Sequence, residues 1–296
     1  MKRIGFIGAG KVGFSFGRHI NENGGGSYCV AGYFSRTAES ARAAAAFTGS
    51  RPYETPEALA ADCDLLLLTV PDSEIEILSA KGTVHLAAPL IAHCSGILSG
   101  GSIHPMIALH DRETAYKALA GAYFTIEGGA PLTEFTAAML KALGNPFCRI
   151  EPEQKPLYHA ASVMVSNLVC GLTYEGIETL KLCGLSEDFA ERAWRSLFLG
   201  NAETIAALGP AEALTGPVER GDGETVAHHL DALTGKSREL YRLLSYSLLE
   251  PARQKNPGRD YTELARLLDV GAEGQRAGDR MSPLRSRPTN EKGENQ

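Results

Sequence analysis

Near the amino end, an apolar run (Ile4, Phe6, Ile7) breaks into Gly8-Ala9-Gly10-Lys11-Val12-Gly13, and an amphipathic stretch follows. A strand, a glycine turn and a helix in that order put free backbone N–H groups at a helix start, where they face negative charge. Gly8 suits the tight turn, Gly10 lets the backbone come close to a pyrophosphate, and Gly13 lets helix and strand pack. After the second apolar strand, an NAD-preferring site carries a carboxylate for the ribose; this chain has Phe34-Ser35-Arg36-Thr37 instead. Arg36 can pair with a 2′-phosphate, and Ser35 and Thr37 can donate hydrogen bonds to it, so the expected cofactor is NADP. The plainer reading of Arg36 is an arginine in an exposed loop. Val70, Pro71 and Asp72 end a further strand, where main chain passes the cofactor; Asp72 reads equally as a cap for the next helix. His93-Cys94-Ser95-Gly96 ends the strand after that, and is expected beside the nicotinamide.

A second set of polar residues is helical in spacing. Lys155, His159, Ser162 and Ser166 follow one another at four, three and four residues, within about 60° of one helix face. Asn167 stands at the rim of that face. Histidine titrates near neutral pH and suits proton transfer to oxygen or nitrogen, so His159 and His104 are both candidates, each also readable as structural. His19, His85, His110, His228 and His229 read as structural or surface groups, and nothing clusters them at metal-ligand spacing. The stretch from Leu214 to Asp222 is richer in glycine and charge than a connector needs; Thr215 or Arg220 is expected to reach a crevice of this or a partner subunit.

The elements that must position these groups fall into two halves. Up to about residue 152, strands and helices alternate: Ile4–Ile7, Val12–Ile20, Tyr28–Phe34, Ala38–Thr48, Pro56–Ala61, Leu65–Val70 and Pro89–Cys94. Ala122–Glu127 and Pro146–Ile150 could extend the sheet. "LLLLTV" is apolar on both faces and belongs in the middle of a parallel sheet, so the expected class is α/β, a doubly wound parallel Rossmann sheet followed by an all-helical domain. Residues 153–270 read as helices: 154 to about 183, then 187–208, 225–233 and 236–254. Residues 271–296 are polar and rich in Pro and Gly, a composition that suits a disordered tail.

Composition removes several partner classes. A net charge of −6 gives no electrostatic reason for nucleic acid or an anionic membrane. Six scattered cysteines without a CxxC pair argue against a zinc site or a disulfide framework, and suit a cytoplasmic location. No apolar run reaches the ~18 residues of a spanning helix. The start Met1-Lys2-Arg3 faintly resembles a secretory leader, but its apolar part is interrupted by three glycines and Lys11.

Three stretches carry a family resemblance: "GAYFTIEG" (121–128), "YHAASVMVSNLV" (158–169) and "ALTGPVERGD" (213–222). To about Gly271 the chain resembles Rossmann-like proteins carrying the DUF2520 domain. Its first half resembles the NADP-binding domain of 6-phosphogluconate dehydrogenase, 3-hydroxyisobutyrate dehydrogenase and pyrroline-5-carboxylate reductase. The resemblance implies a Rossmann domain, a helical domain that pairs subunits into a homodimer, and no particular substrate. The hydroxyacid dehydrogenases carry a lysine a turn before an asparagine; with Asn167 as that asparagine, the lysine position is Val163, so their proton relay does not transfer. "HPM" (His104-Pro105-Met106) is similar to a substrate-contacting segment of prephenate dehydrogenases. The expected function is NADP-dependent hydride transfer to or from a small carbonyl, alcohol or imine. There, His159 or His104 supplies the proton, and Ser95 and Asn167 orient the substrate. Two alternatives stand beside it: a non-catalytic NADP(H)-binding sensor or assembly protein, and a prephenate- or arogenate-type dehydrogenase.

Overall fold

The computed structural model describes residues 1–80 and 90–269; His85, Pro89 and the tail expected from 271 lie outside the described residues. The chain divides into two compact units, Met1–Cys170 and Gly171 onward.

In the first unit, strand follows helix as the apolar pattern requires. The order is β1 (Lys2–Ile7), α1 (Lys11–Asn23), β2 (Tyr28–Phe34), α2 (Ala38–Thr48), β3 (Arg51–Pro52), α3 (Pro56–Ala60), β4 (Leu65–Leu68) and α4 (Asp72–Ala80). It continues with β5 (Leu90–His93), β6 (Ser102–Pro105), α5 (Tyr116–Leu119), β7 (Phe124–Glu127), α6 (Ala130–Leu143), β8 (Phe147–Arg149) and α7 (Lys155–Met164). These strands form one eight-stranded sheet in the order β3-β2-β1-β4-β5-β6-β7-β8. The direction of winding reverses between β1 and β4, which opens the crevice where such sheets bind dinucleotides. β4 is buried on both faces. Leu65 and Leu67 pack with Phe6, Phe16 and Tyr33 on one side, and Leu66 and Leu68 with Ile7, Leu59 and Ile75 on the other. Each fully buried leucine contributes about 1.5–3 kcal/mol.

The sheet departs from an all-parallel one at its far end. β6 runs parallel to β5, paired only through His93↔Ser102. β7 pairs with β6 antiparallel, Ser102↔Glu127 to Pro105↔Phe124, and β8 follows β7 in parallel. Because β6 starts level with the end of β5, it carries His104 beyond the sheet's carboxyl edge, and the reversed β7 brings Glu127 back to the level of His93.

The expected continuous helix from Gln154 is interrupted. α7 ends at Met164, Val165 and Ser166 form a turn, and the next helix, α8, covers Asn167–Leu182. The division between the two units falls inside α8, whereas the sequence puts the change of character near residue 152. In the second unit follow α9 (Glu187–Leu208), α10 (Pro210–Ala213), α11 (Pro217–Arg220), α12 (Gly223–Ala232), α13 (Gly235–Ser247), α14 (Leu249–Lys255) and α15 (Thr262–Leu268). Its core gathers Val218, Val226, Leu230, Leu249, Tyr261 and Leu264. The short α10, α11 and α15 are not apparent in the sequence, since one or two helical turns have too few positions to show a period. No described helix is long and apolar enough to cross a membrane.

Candidate active site

The glycine turn is built as its spacing demands. Gly8 sits at φ +110°, and a Cβ there would meet the Thr69 carbonyl oxygen at 2.6 Å. Thr69 donates its hydroxyl to Gly8 O at 2.8 Å, and Gly8 N–H donates to Phe34 O at 2.8 Å, so the turn is tied to β2 and β4 together. A Cβ on Gly13 would strike Gly8 O. Gly10 differs: its φ of −85° suits any residue, and a Cβ there would meet nothing nearer than Thr69 O at 3.9 Å. Packing and conformation both leave Gly10 free to be something else. Glycine at this position keeps clear the space before the first N–H groups of α1, which no side chain caps. That is the observation by which the cradle fits a dinucleotide pyrophosphate. Lys11 and Val12 begin α1, with Lys11 exposed; Ala9 is buried beside them.

Beyond β2, Arg36 is exposed and Ser35 half-buried. Thr37 is the N-cap of α2: its oxygen accepts from Ser40 N–H at 3.3 Å and its hydroxyl donates to Ser40 Oγ. Its donor is therefore committed within the protein. Val70 packs against the core and Pro71 is exposed. Asp72 opens α4 and accepts from Ser95 Oγ at 2.9 Å.

At the carboxyl edge of β5 the residues expected beside the nicotinamide divide. His93 is buried: Nδ1 accepts from Ser95 N–H at 3.2 Å and Nε2 lies 3.3 Å from Ser99 O. Ser95 Oγ donates to Asp72 and accepts from Ile97 and Leu98 N–H, so its one donor and two acceptor places are used. Ser95 holds the turn and has no hydroxyl capacity left for a ligand.

The two candidate histidines come together, although they stand 55 positions apart in sequence. Their ring centroids are 6.0 Å apart and nearly perpendicular. Both press on Gly96, where a Cβ would strike His159 Nδ1 and stand 3.0 Å from His104 Nε2. His104 Nδ1 lies 2.7 Å from the Tyr158 hydroxyl. Burial pushes the Tyr158 hydroxyl up, so it keeps its proton; with that phenol as donor to Nδ1, the imidazole's own donor is Nε2–H. Burial first, then the neighbouring His159 and Lys155, press His104 down to about 4; at neutral pH it is uncharged. His159 Nδ1 is buried and has no hydrogen-bond partner.

Outward from the histidines opens a cleft of about 650 Å³, lined by segment 104–110 and by His159, Ser162, Val163, Ser166 and Asn167. His110, which the sequence leaves as a structural or surface group, lies on its wall. The single polar stripe expected of α7 is corrected at both ends. Ser166 falls in the turn after the helix, exposed, donating to Ser162 O at 2.7 Å. Lys155 is fully buried, its Nζ donating to Ser102 Oγ at 2.6 Å and Ser95 O at 3.3 Å. Ser102, Glu127 and Tyr158 were invisible as site residues because their partners lie on other elements.

In the second unit, Thr215 is exposed and Arg220 closes α11, its guanidinium 3.9 Å from Asp222. Asp222 caps α12 through Thr225 N–H and hydroxyl. Among the described residues no group of acidic, histidine or cysteine side chains could hold a metal, and all six cysteines are free thiols.

Residues 3–90 match the family "NADP oxidoreductase coenzyme F420-dependent", and residues 122–248 match DUF2520, a domain of unknown function. The first match ends at the start of β5, and the second runs from just before β7 to the end of α13. It is similar, at 25% identity and a TM-score of 0.64, to a candidate NADP oxidoreductase of Bacteroides fragilis, over 84% of this chain and 98% of that one. A Thermotoga maritima protein is also 25% identical, with a TM-score of 0.67 over 85% of this chain and 99% of the other. The imine reductase of Myxococcus stipitatus in complex with NADP+ is 15% identical with a TM-score of 0.52, covering 90% of this chain and 100% of that one; it shares the fold. No curated protein matches the sequence significantly.

Proposed function

We propose that the protein is an NADP-dependent oxidoreductase acting on the carbonyl, alcohol or imine group of a small molecule held in the cleft beside His104 and His159. The observation that carries this reading is Gly10, a glycine that neither its backbone angles nor its protein neighbours require. Gly8 to Gly13 and the start of α1 hold the pyrophosphate, and Ser35 and Arg36 take the 2′-phosphate. Val70, Pro71 and Asp72 pass along the cofactor. When bound, the cofactor supplies or accepts the hydride.

The chain's own groups do the rest. His104, neutral and oriented by Tyr158, offers Nε2–H to the oxygen or nitrogen of the reacting group, which polarises it without a formal charge. His159 then becomes the group that carries the proton, because a His104 that ionises only near pH 4 is a poor acid at pH 7. Ser162, Ser166 and Asn167 orient the substrate from the cleft wall. Val163 lines the cleft; with Asn167 matched to the asparagine of the hydroxyacid dehydrogenases it stands at their lysine position, which leaves proton transfer to imidazole. Residues 1–152 then serve the cofactor, and 153–270 the substrate and pairing of subunits. Exposed Leu168 on α8 and Leu197, Leu199 and Leu208 on α9 support a homodimer through the helices. Free cysteines agree with a reducing, cytoplasmic setting.

Fluorescence titration with NADPH and NADH, on wild type and Arg36→Ala, tests the cofactor half. Tight NADPH binding that Arg36→Ala weakens selectively is the expected result; binding of neither nucleotide would sink the reading. A panel of ketones, acids and imines tests the rest. The one observation favouring a sensor is Val163; in that case NADPH binds, nothing on the panel turns over, and His159→Gln changes nothing.

A further inference from the structure

A fully buried ammonium lies under the cleft, and no step above employs it. Lys155 opens α7 and touches no solvent. Removing an ammonium from water is costly, and the cost is offset only where its protons find acceptors. Here they find Ser102 Oγ and Ser95 O, and Ser102 in turn donates to the buried carboxylate of Glu127 at 3.4 Å. An apolar side chain of the same length would fill the space without those costs, so the fold alone does not account for a lysine.

Its two attachments have a geometrical consequence. Ser95 O belongs to the Ser95–Gly96 peptide plane, so holding that oxygen fixes the position of Gly96, the residue on which both imidazoles rest. His159 stands one turn after Lys155 on α7, so the anchored lysine also fixes where that imidazole comes down on the plane. We propose that Lys155 is a positioning residue for the histidine pair, clamping the Ser95–Gly96 peptide and the first turn of α7 together beneath His104 and His159. The inference rests on the proposed active site and names how it is held. Electrostatics agree. The groups that bear on His104 are His159 and Lys155 from α7, His93 from β5 and Asp72 from α4; the first three press it toward the neutral form and Asp72 opposes them. Burial also lowers Lys155 itself, with Glu127 and Asp72 opposing.

The test follows the imidazole C2–H signals of His104 and His159 by NMR from pH 8 downward, assigned with His104→Gln and His159→Gln. In Lys155→Met, His104 is expected to take its proton at a higher pH than in wild type, and the His159 signal to move as its seat on Gly96 loosens. Lys155→Arg, which keeps the charge, should hold the His104 midpoint low. If Lys155→Met does not fold, Lys155→Met/Glu127→Gln, which removes both buried charges, carries the reading. Titrations superimposable on wild type in either folded variant overturn the proposal, and so does failure of both to fold, which would make the lysine structural. NADPH titration of the same samples separates the two readings. Affinity is expected to survive in the folded variants, because the glycine cradle is untouched, whereas a wild type that binds no NADPH sinks the functional reading and leaves the histidine titration interpretable.

Discussion

Gly10 and Gly13 lie three positions apart and answer to different demands. Gly10→Ala adds a methyl to open space, so the fold should lose no more than about 1 kcal/mol while NADPH affinity falls about tenfold or more; melting curves and a fluorescence titration on one sample check both. Gly13→Ala sets a methyl against Gly8 O, and here stability itself should drop. Gly96→Ala is the corresponding experiment at the histidines. Its methyl would strike His159 Nδ1, so turnover should fall about a hundredfold with NADPH affinity unchanged; unchanged turnover would detach the imidazole pair from the chemistry. The glycine cradle was legible because its residues are contiguous and its context is a short strand–helix sequence. Lys155 was misread for the opposite reason. A helical wheel places it with His159 on a polar stripe, yet its partners Ser95 and Ser102 lie 60 and 53 residues away, and no local pattern reports such a contact.

Helix α1 meets β2 through a side chain that the glycine pattern does not mention. Tyr33 is fully buried, stacks on Phe6, and donates its hydroxyl to Gly13 O at 3.0 Å. A Cβ on Gly17 would overlap that hydroxyl, so Gly17→Ala should cost about 2 kcal/mol or more. Adding Tyr33→Phe should recover part of it, and urea titration of the double-mutant cycle measures the coupling; strictly additive losses would refute the clash. Strands with an unbroken apolar core, such as β1 and β4, declared themselves in the sequence. β6 did not, because four residues containing Ser102, His104 and Pro105 look like loop until β5 and β7 pair with them. The turn at Val165–Ser166 was hidden likewise: neither residue is a helix breaker, and the apolar period runs through them.

At the scale of the molecule, burial holds three of the described histidines against protonation. Burial lowers His19, His93 and His104 from their ordinary 6.5, the last to about 4. A base held below its unfolded value takes its proton first in the unfolded chain, so the stability it contributes is full above pH 6.5 and drains away as pH falls toward 4. Denaturant melts at several pH values should show that decline, with a shallower slope in His104→Gln; an equal slope would mean His104 does not share in it. The apolar face of α9, with Leu197 77% exposed, predicts sedimentation as twice the 31.6 kDa chain, and a shift toward monomer in Leu197→Glu. A monomeric wild type would refute it.

The reversed strands β7 and β8 have one more consequence. The two family matches stop and start on either side of residues 91–121, yet β6 within that stretch and β7 inside the second match are zipped by four residue pairs. The ammonium of Lys155 bonds back across the same line to Ser102. A chimaera that took its first 121 residues from one relative and the remainder from another would therefore have to reproduce a strand register and a buried ion network to fold at all. What looks in sequence like a seam between two interchangeable modules is, for inheritance and for engineering, the interior of one.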